Sequence, residues 1–243
     1  MAYSTTQETG SQVGEFSGED RAPDPRVFRL LGAAFLVQAI GSAVSGLVFA
    51  PVDLLANSAP DDMPAMMAEI AESDSLLRAS IVGEMVTAAG IVALGTLLFA
   101  VLRRHGRNAA AIALGLYLVE AALLAMREVL VFALGSTSEQ AAAGGVTDGL
   151  TAQGAMLYEA QTFAYSLHTL VFAAGATIFY LLFARSGLLP RLLVGLGLIA
   201  APLALVGQVL VVLGVDVPLY VFIPNLPFEL GAGLWFLLRG RPN

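Results

Sequence analysis

The chain has 243 residues, of which 57% are hydrophobic and only 13% charged. Soluble domains average about 45–50% apolar and about 25% charged residues, so an ordinary soluble fold is excluded. The excess of 19 acidic over 12 basic residues likewise argues against nucleic-acid binding. There is no cysteine, which removes thiolate nucleophiles and Fe–S clusters. All 12 basic residues are arginine, which removes any lysine Schiff base.

Residues 1–25 are polar and rich in Ser, Thr, Gly and Glu, with Pro23 and Pro25 near their end. They lack the basic n-region and cleavage site of a secretory signal, so a disordered cytoplasmic tail is expected. Residues 26–243 read as one all-α domain. Six segments reach the roughly 20 apolar residues that a helix needs to cross the hydrocarbon core: 27–50, 77–102, 108–134, 162–184, 191–213 and 218–238. They are continuously apolar and too long for the alternating strands of a membrane barrel. The expected architecture is a six-helix transmembrane bundle. Its inner connections, near 103–107 and 185–190, are tight. Its outer connections, 51–76 and 135–161, are long. Within these, 64–73 and 146–160 each predict a short helix at the outer surface, the first with Met63, Met66, Met67 and Ile70 on its apolar side.

Orientation follows from arginine placement. Arg21, Arg26, Arg29, Arg103, Arg104, Arg107, Arg185, Arg191, Arg239 and Arg241 all fall on one side of the predicted spans. The opposite loops carry Asp53, Asp61, Asp62, Glu69, Glu72, Asp74, Glu139, Asp148, Glu159 and Asp216. Both termini are therefore expected in the cytoplasm.

A charge at the bilayer centre costs about 2.5–3.5 kcal/mol even on lenient scales, so ionisable residues within spans should face the interior. The spans contain Glu84, Glu120, Arg127, Glu128, His168 and Glu229, accompanied by Gln38, Tyr117, Tyr165, Gln208 and Asn225. At about 1.5 Å rise per residue, most of these fall in the outer half, with Glu120, Gln38 and Glu229 deepest. Helical spacing puts Tyr117, Glu120 and Arg127 on one face of the third span. Gln161, Tyr165, His168 and Gly175 align on the fourth, Ser80, Glu84 and Thr87 on the second, and Asn225, Glu229 and Gly233 on the sixth. An outward-opening cavity lined by these stripes is expected. Pro218, Pro224 and Pro227 interrupt the sixth span, and freed carbonyls near Ile223 and Leu226 are available to a cation, or else the kink only makes room for packing.

Arg127 is expected as a counter-ion to Glu84, Glu120 or Glu128, with binding of an anionic substrate as the alternative. Excess carboxylate leaves Glu120 and Glu229 as candidate proton carriers. His168 is a hydrogen-bonded interior residue, a proton relay or a metal ligand. Glu84, Glu120, His168 and Glu229 would make an acceptable donor set for a transition metal, but no two have the i, i+3 or i+4 spacing of a strong site. His-Glu-x-x-His is missing, as are Gly-x-Ser-Gly and any phosphate-binding glycine loop. No cofactor is indicated.

One string, Phe183-Ala-Arg-Ser-Gly-Leu-Leu-Pro190-Arg191, lies at the inner end of the fourth span. It resembles the Tyr-Arg-Ser-Gly-hydrophobic-Leu-Pro-Arg signature of the prokaryotic membrane family catalogued as domain of unknown function 4386. His168 in Tyr165-Ser-Leu-His168, Val119-Glu120 and Phe228-Glu229-Leu also stand at family-like positions. The third span departs by placing Leu116-Tyr117 where an Arg often precedes the Glu. The resemblance covers residues 26–240. It implies a six-pass protein of a prokaryotic cell membrane, and no established activity.

The leading functional expectation is a small transporter or proton-coupled permease with an outward-facing polar cavity. The alternatives are a non-catalytic membrane sensor or assembly protein, and a membrane enzyme acting on a lipid or quinone through His168 and a Glu. Expected partners are the lipid bilayer and a small-molecule or ion ligand.

Overall fold

The apolar runs fold as helices. A computed structural model describes residues 24–48 and 62–239. Seven α-helices occur there: α1 (Pro25–Val48), α2 (Met63–Glu72), α3 (Asp74–Leu102), α4 (Arg107–Gly144), α5 (Asp148–Ser186), α6 (Arg191–Val212) and α7 (Asn225–Arg239). One-turn 3-10 helices at Arg103–His105 and Leu219–Val221 complete the elements, and there is no strand among the described residues. Among the described residues, five segments are long and apolar enough to cross a membrane: Asp74–His105, Arg107–Gly144, Asp148–Ser186, Arg191–Val212 and Leu219–Arg239. The expected tail at 1–25 lies outside the described residues, apart from its last two positions.

Packing makes a ring. α1 lies against α3, α3 against α4, α4 against α5, α5 against α6, α6 against α7, and α7 closes on α1. α1 and α7 approach closely enough to bring backbone against backbone. A Cβ on Gly32 would fall 2.6 Å from the Leu237 nitrogen and 2.7 Å from the Gly233 carbonyl oxygen, so the two backbones touch only because residue 32 has no side chain.

The outer connections differ from expectation in one place. The predicted surface helix at 146–160 is not separate, because α5 runs unbroken from Asp148 and α4 continues to Gly144. Ala- and Glu/Gln-rich segments such as Glu139–Ala143 and Ala152–Ala160 lower the hydropathy while remaining good helix formers, so the polar stretch marks a change of surroundings and not of conformation. The turn is confined to 145–147. Gly145 supplies φ +89° and the Thr147 hydroxyl accepts from the Leu150 N–H at 3.3 Å. At 38 and 39 residues the two helices are about 57 Å long, roughly twice the hydrocarbon thickness. α2 forms near its expected position, capped by Asp62, whose side chain accepts from the Ala65 N–H at 3.0 Å, and it lies against α4.

Two apolar cores result. The larger is built on Phe28, Leu31, Phe35, Leu98, Tyr117, Leu124, Phe179, Tyr180, Phe183, Phe228 and Phe236. The smaller joins Met63, Met67 and Ile70 of α2 to Leu77, Val131, Leu134, Ala141 and Tyr158. On α4 the larger core ends at Leu124 and the smaller begins at Val131. Arg127 and Glu128 sit between them. On α3 the same interval holds Glu84, and on α5 it holds Gln161, Tyr165 and His168. A polar layer is thus enclosed between two greasy ones.

Candidate functional site

The layer is organised around Arg127, which is buried with 5% of its surface exposed. Its Nη1 donates to Glu128 Oε1 at 2.8 Å and its Nε to Gln161 Oε1 at 3.1 Å. The guanidinium also lies 5.2 Å from the centre of the Tyr165 ring, a cation–π distance. Gln161 passes the chain on, its Nε2 donating to Thr162 Oγ1 at 2.9 Å. Glu84 of α3 is within electrostatic reach of both Glu128 and Tyr165. Of the three carboxylates offered to Arg127 by the sequence, Glu128 forms the direct pair recorded at 2.8 Å. Neighbours at i and i+1 normally diverge on a helix. They meet here because α4 is buried on both flanks and the long arginine can turn back.

His168 links this layer to a deeper one. Its Nδ1 lies 3.2 Å from the backbone oxygen of Glu120. A carbonyl oxygen only accepts, so this bond requires a hydrogen on Nδ1, which in the neutral ring leaves the lone pair on Nε2. The ring stacks obliquely on Tyr165 with centres 5.6 Å apart.

The deeper tier consists of Glu120 on α4 and Glu229 on α7, 1% and 9% exposed. α4 and α7 are not neighbours in the ring among the described residues, so the two carboxylates interact across its interior. Tyr117 and Tyr180 are within electrostatic reach of both. Glu120 Oε2 is enclosed without a hydrogen-bond partner, and no arginine or histidine pairs with either carboxylate among the described residues. Asn225, one turn before Glu229, donates through Nδ2 to the Ala200 and Phe222 carbonyl oxygens, both at 3.5 Å. The break in the sixth span is real: a 3-10 turn at Leu219–Val221 gives way to α7 only at Asn225.

Some residues in the expected stripes have other work. Ser80 and Thr87 donate their hydroxyls to carbonyls of their own helix, Leu77 at 2.7 Å and Gly83 at 3.2 Å. Gly175 does not open a cavity. With Gly95 it makes a slot for Tyr117, whose ring and Cβ would lie 2.9 Å from a Cβ at either position. Gly233 is likewise filled, by Leu36. Gln208 ties α6 to α5 through the Ser166 carbonyl at 3.1 Å. Glu84, Glu120, His168 and Glu229 do not gather as one donor set, and among the described residues no three acidic or histidine side chains are placed to hold a metal ion. Tyr180 was not singled out by sequence reasoning. Its signal was a hydroxyl in the run Phe179-Tyr180-Leu-Leu-Phe183, where a phenol needs a polar partner.

A closed ring of helices with a buried, partly uncompensated polar interior places the chain among helical membrane proteins. The family model described as "Domain of unknown function (DUF4386)" matches residues 30–240, and the chain belongs to that family. Comparison with curated proteins and with solved structures gave no match.

Proposed function

We propose that the protein is a small proton-coupled permease of a prokaryotic cell membrane, with α1 as a sixth span and both termini in the cytoplasm. The observation that carries this reading is that Glu120 and Glu229 are both buried and within electrostatic reach of each other across the ring interior, with no cation beside them among the described residues. Two carboxylates that interact in a low-dielectric interior disfavour double ionisation, so the site attracts a proton or another positive guest. A pure packing role would not need them, because an apolar pair fills the same space without the desolvation penalty. His168, with its Nε2 lone pair and its Nδ1–H on Glu120's own carbonyl, stands between this pair and the Arg127 layer. It is suited to pass a proton between the two.

The test is reconstitution into liposomes loaded with a pH-sensitive dye. Gradients of Na+, K+, small amines, amino acids and dicarboxylates are imposed in turn. At least one solute should drive a change in internal pH, which Glu120→Gln and Glu229→Gln abolish. If none moves protons, or if both variants move as many as the wild type, the permease reading fails. Topology has a separate check. A fluorescent protein fused at the C-terminus should fold and fluoresce, and alkaline phosphatase fused there should stay inactive.

A further inference from the structure

Four enclosed side-chain atoms lack a hydrogen-bond partner among the described residues: Gln38 Oε1, Glu120 Oε2, Tyr180 Oη and Asn225 Oδ1. All four are oxygens, and no enclosed nitrogen shares their condition. They come from four different helices. The Tyr180 phenol is within electrostatic reach of both carboxylates. Asn225 lies one turn from Glu229 on the same buried face of α7. Phe35 of α1 meets Phe228 of α7 with ring centres 6.4 Å apart, which sets the antiparallel register of these helices. One turn outward from that contact, Gln38 comes level with Asn225.

Unsatisfied acceptors such as the Gln38, Glu120 and Asn225 oxygens, joined by a phenol that can accept as well as donate, repel anions. They fit a bare cation, and hard cations take oxygen ligands. We propose that the ring interior between Glu120 and Glu229 binds Na+ through carboxylate oxygens, Gln38 Oε1, Asn225 Oδ1 and the Tyr180 oxygen, in competition with a proton. The inference deepens the permease reading and rests on it, naming the ion exchanged. Charge balance sets the stoichiometry. Two carboxylates hold two protons in one state, or one proton and one Na+ in the other, so one H+ leaves for each Na+ that enters. Mg2+ fits less well, because it sheds its water reluctantly.

The titratable groups within electrostatic reach of the pair are Tyr117 on α4 and Tyr180 on α5, while His168 meets the Glu120 backbone oxygen and is acted on by Arg127. Between its ends α6 offers none, α3 contributes Glu84 only to the outer layer, and α1 brings Gln38 at this level. Proton competition is therefore expected to reside in the two glutamates.

The experiment measures radiolabelled Na+ binding to the purified full-length protein in detergent, from alkaline to mildly acidic pH. Binding should saturate, weaken by about tenfold per pH unit once protons compete, and yield to unlabelled Na+ but not to K+, methylammonium or choline. Glu120→Gln and Glu229→Gln should abolish it, and Glu139→Gln, at the exposed outer end, should leave it intact. If the Gln variants misfold, Gln38→Ala and Asn225→Ala decide the matter, each weakening Na+ binding by about tenfold through loss of one ligand. The Na+ site is overturned by absence of saturable binding, by equal displacement with K+ or methylammonium, or by unchanged binding in folded variants. Proton-coupled flux without Na+ binding would sink this inference and spare the permease. Na+ binding without flux would do the reverse.

Discussion

The two buried carboxylate tiers differ in one respect that decides how each is read. Glu128 has Arg127 at 2.8 Å, and that guanidinium is further held by Gln161 and the face of Tyr165. Glu120 and Glu229 have each other, two phenols and no positive neighbour from the described residues. A satisfied network fixes a packing arrangement and locks helices in place. An unsatisfied one costs stability and persists where something outside the chain completes it. On the permease reading, the same chemical group serves structure in the outer tier and receives a guest in the inner one.

Breaking the outer tier should give the largest effect. Arg127→Leu strands Glu128 in an interior where only 3% of it is exposed, and removing one partner of a buried pair costs about 3–5 kcal/mol. The variant's melting temperature in detergent should fall steeply. Adding Glu128→Gln to it should recover part of the loss, because the stranded charge is gone. If the single substitution leaves the melting temperature unchanged, the outer tier is not structural and the contrast collapses.

Much of this arrangement is legible in the sequence because a helix has one period. The spacing of Tyr117, Glu120 and Arg127 necessarily puts them on a common face of α4. What periodicity cannot supply is the partner across the ring, since α4 and α7 are far apart in the chain and not adjacent in space. Hydropathy has a different limit. It registers where the lipid ends, and so it closed the third and fourth spans at Leu134 and Thr162, while the helices run on to Gly144 and back from Asp148. Glycine was ambiguous for a third reason. Gly175 and Gly233 share faces with polar residues, yet each is a notch for a side chain of another helix, Tyr117 and Leu36.

Those notches give the next effect. Gly95→Val crowds Tyr117 from the α3 side, where a bare Cβ would already lie 2.9 Å from Tyr117 Cβ. Overpacking of this kind costs about 1–3 kcal/mol. It also displaces a phenol that faces the inner carboxylates. The variant should therefore lose transport as well as stability, whereas Arg127→Leu/Glu128→Gln should lose mainly stability. Parallel melting curves and flux assays separate the two.

Glu→Gln substitution sharpens the comparison further, since the same change should act oppositely on stability in the two tiers. At Glu128 it removes the charge that Arg127 needs, and the protein should melt lower. At Glu120 no ion pair is lost and a costly desolvated carboxylate becomes neutral. Melting there should be unchanged or higher while proton-coupled flux disappears. The comparison belongs in Na+-free buffer, where a Glu120→Gln protein that melts as low as Glu128→Gln would show that the inner carboxylate serves structure as the outer one does.

The smallest effect belongs to the ion pairs at the rim. Arg78 of α3 reaches Asp74 at 2.8 Å and Glu139 of α4 at 2.9 Å, distances as short as that of Arg127 to Glu128. Half of the Arg78 side chain is exposed, against 6% for Arg127. Water screens the rim pair and already solvates each partner when the other is removed. Arg78→Ala should therefore melt close to the wild type, and any difference should vanish on raising the salt concentration, which leaves the Arg127→Leu deficit untouched. Equal geometry with unequal consequence would identify burial, and not the number of ion pairs, as what makes the outer tier hold the bundle together.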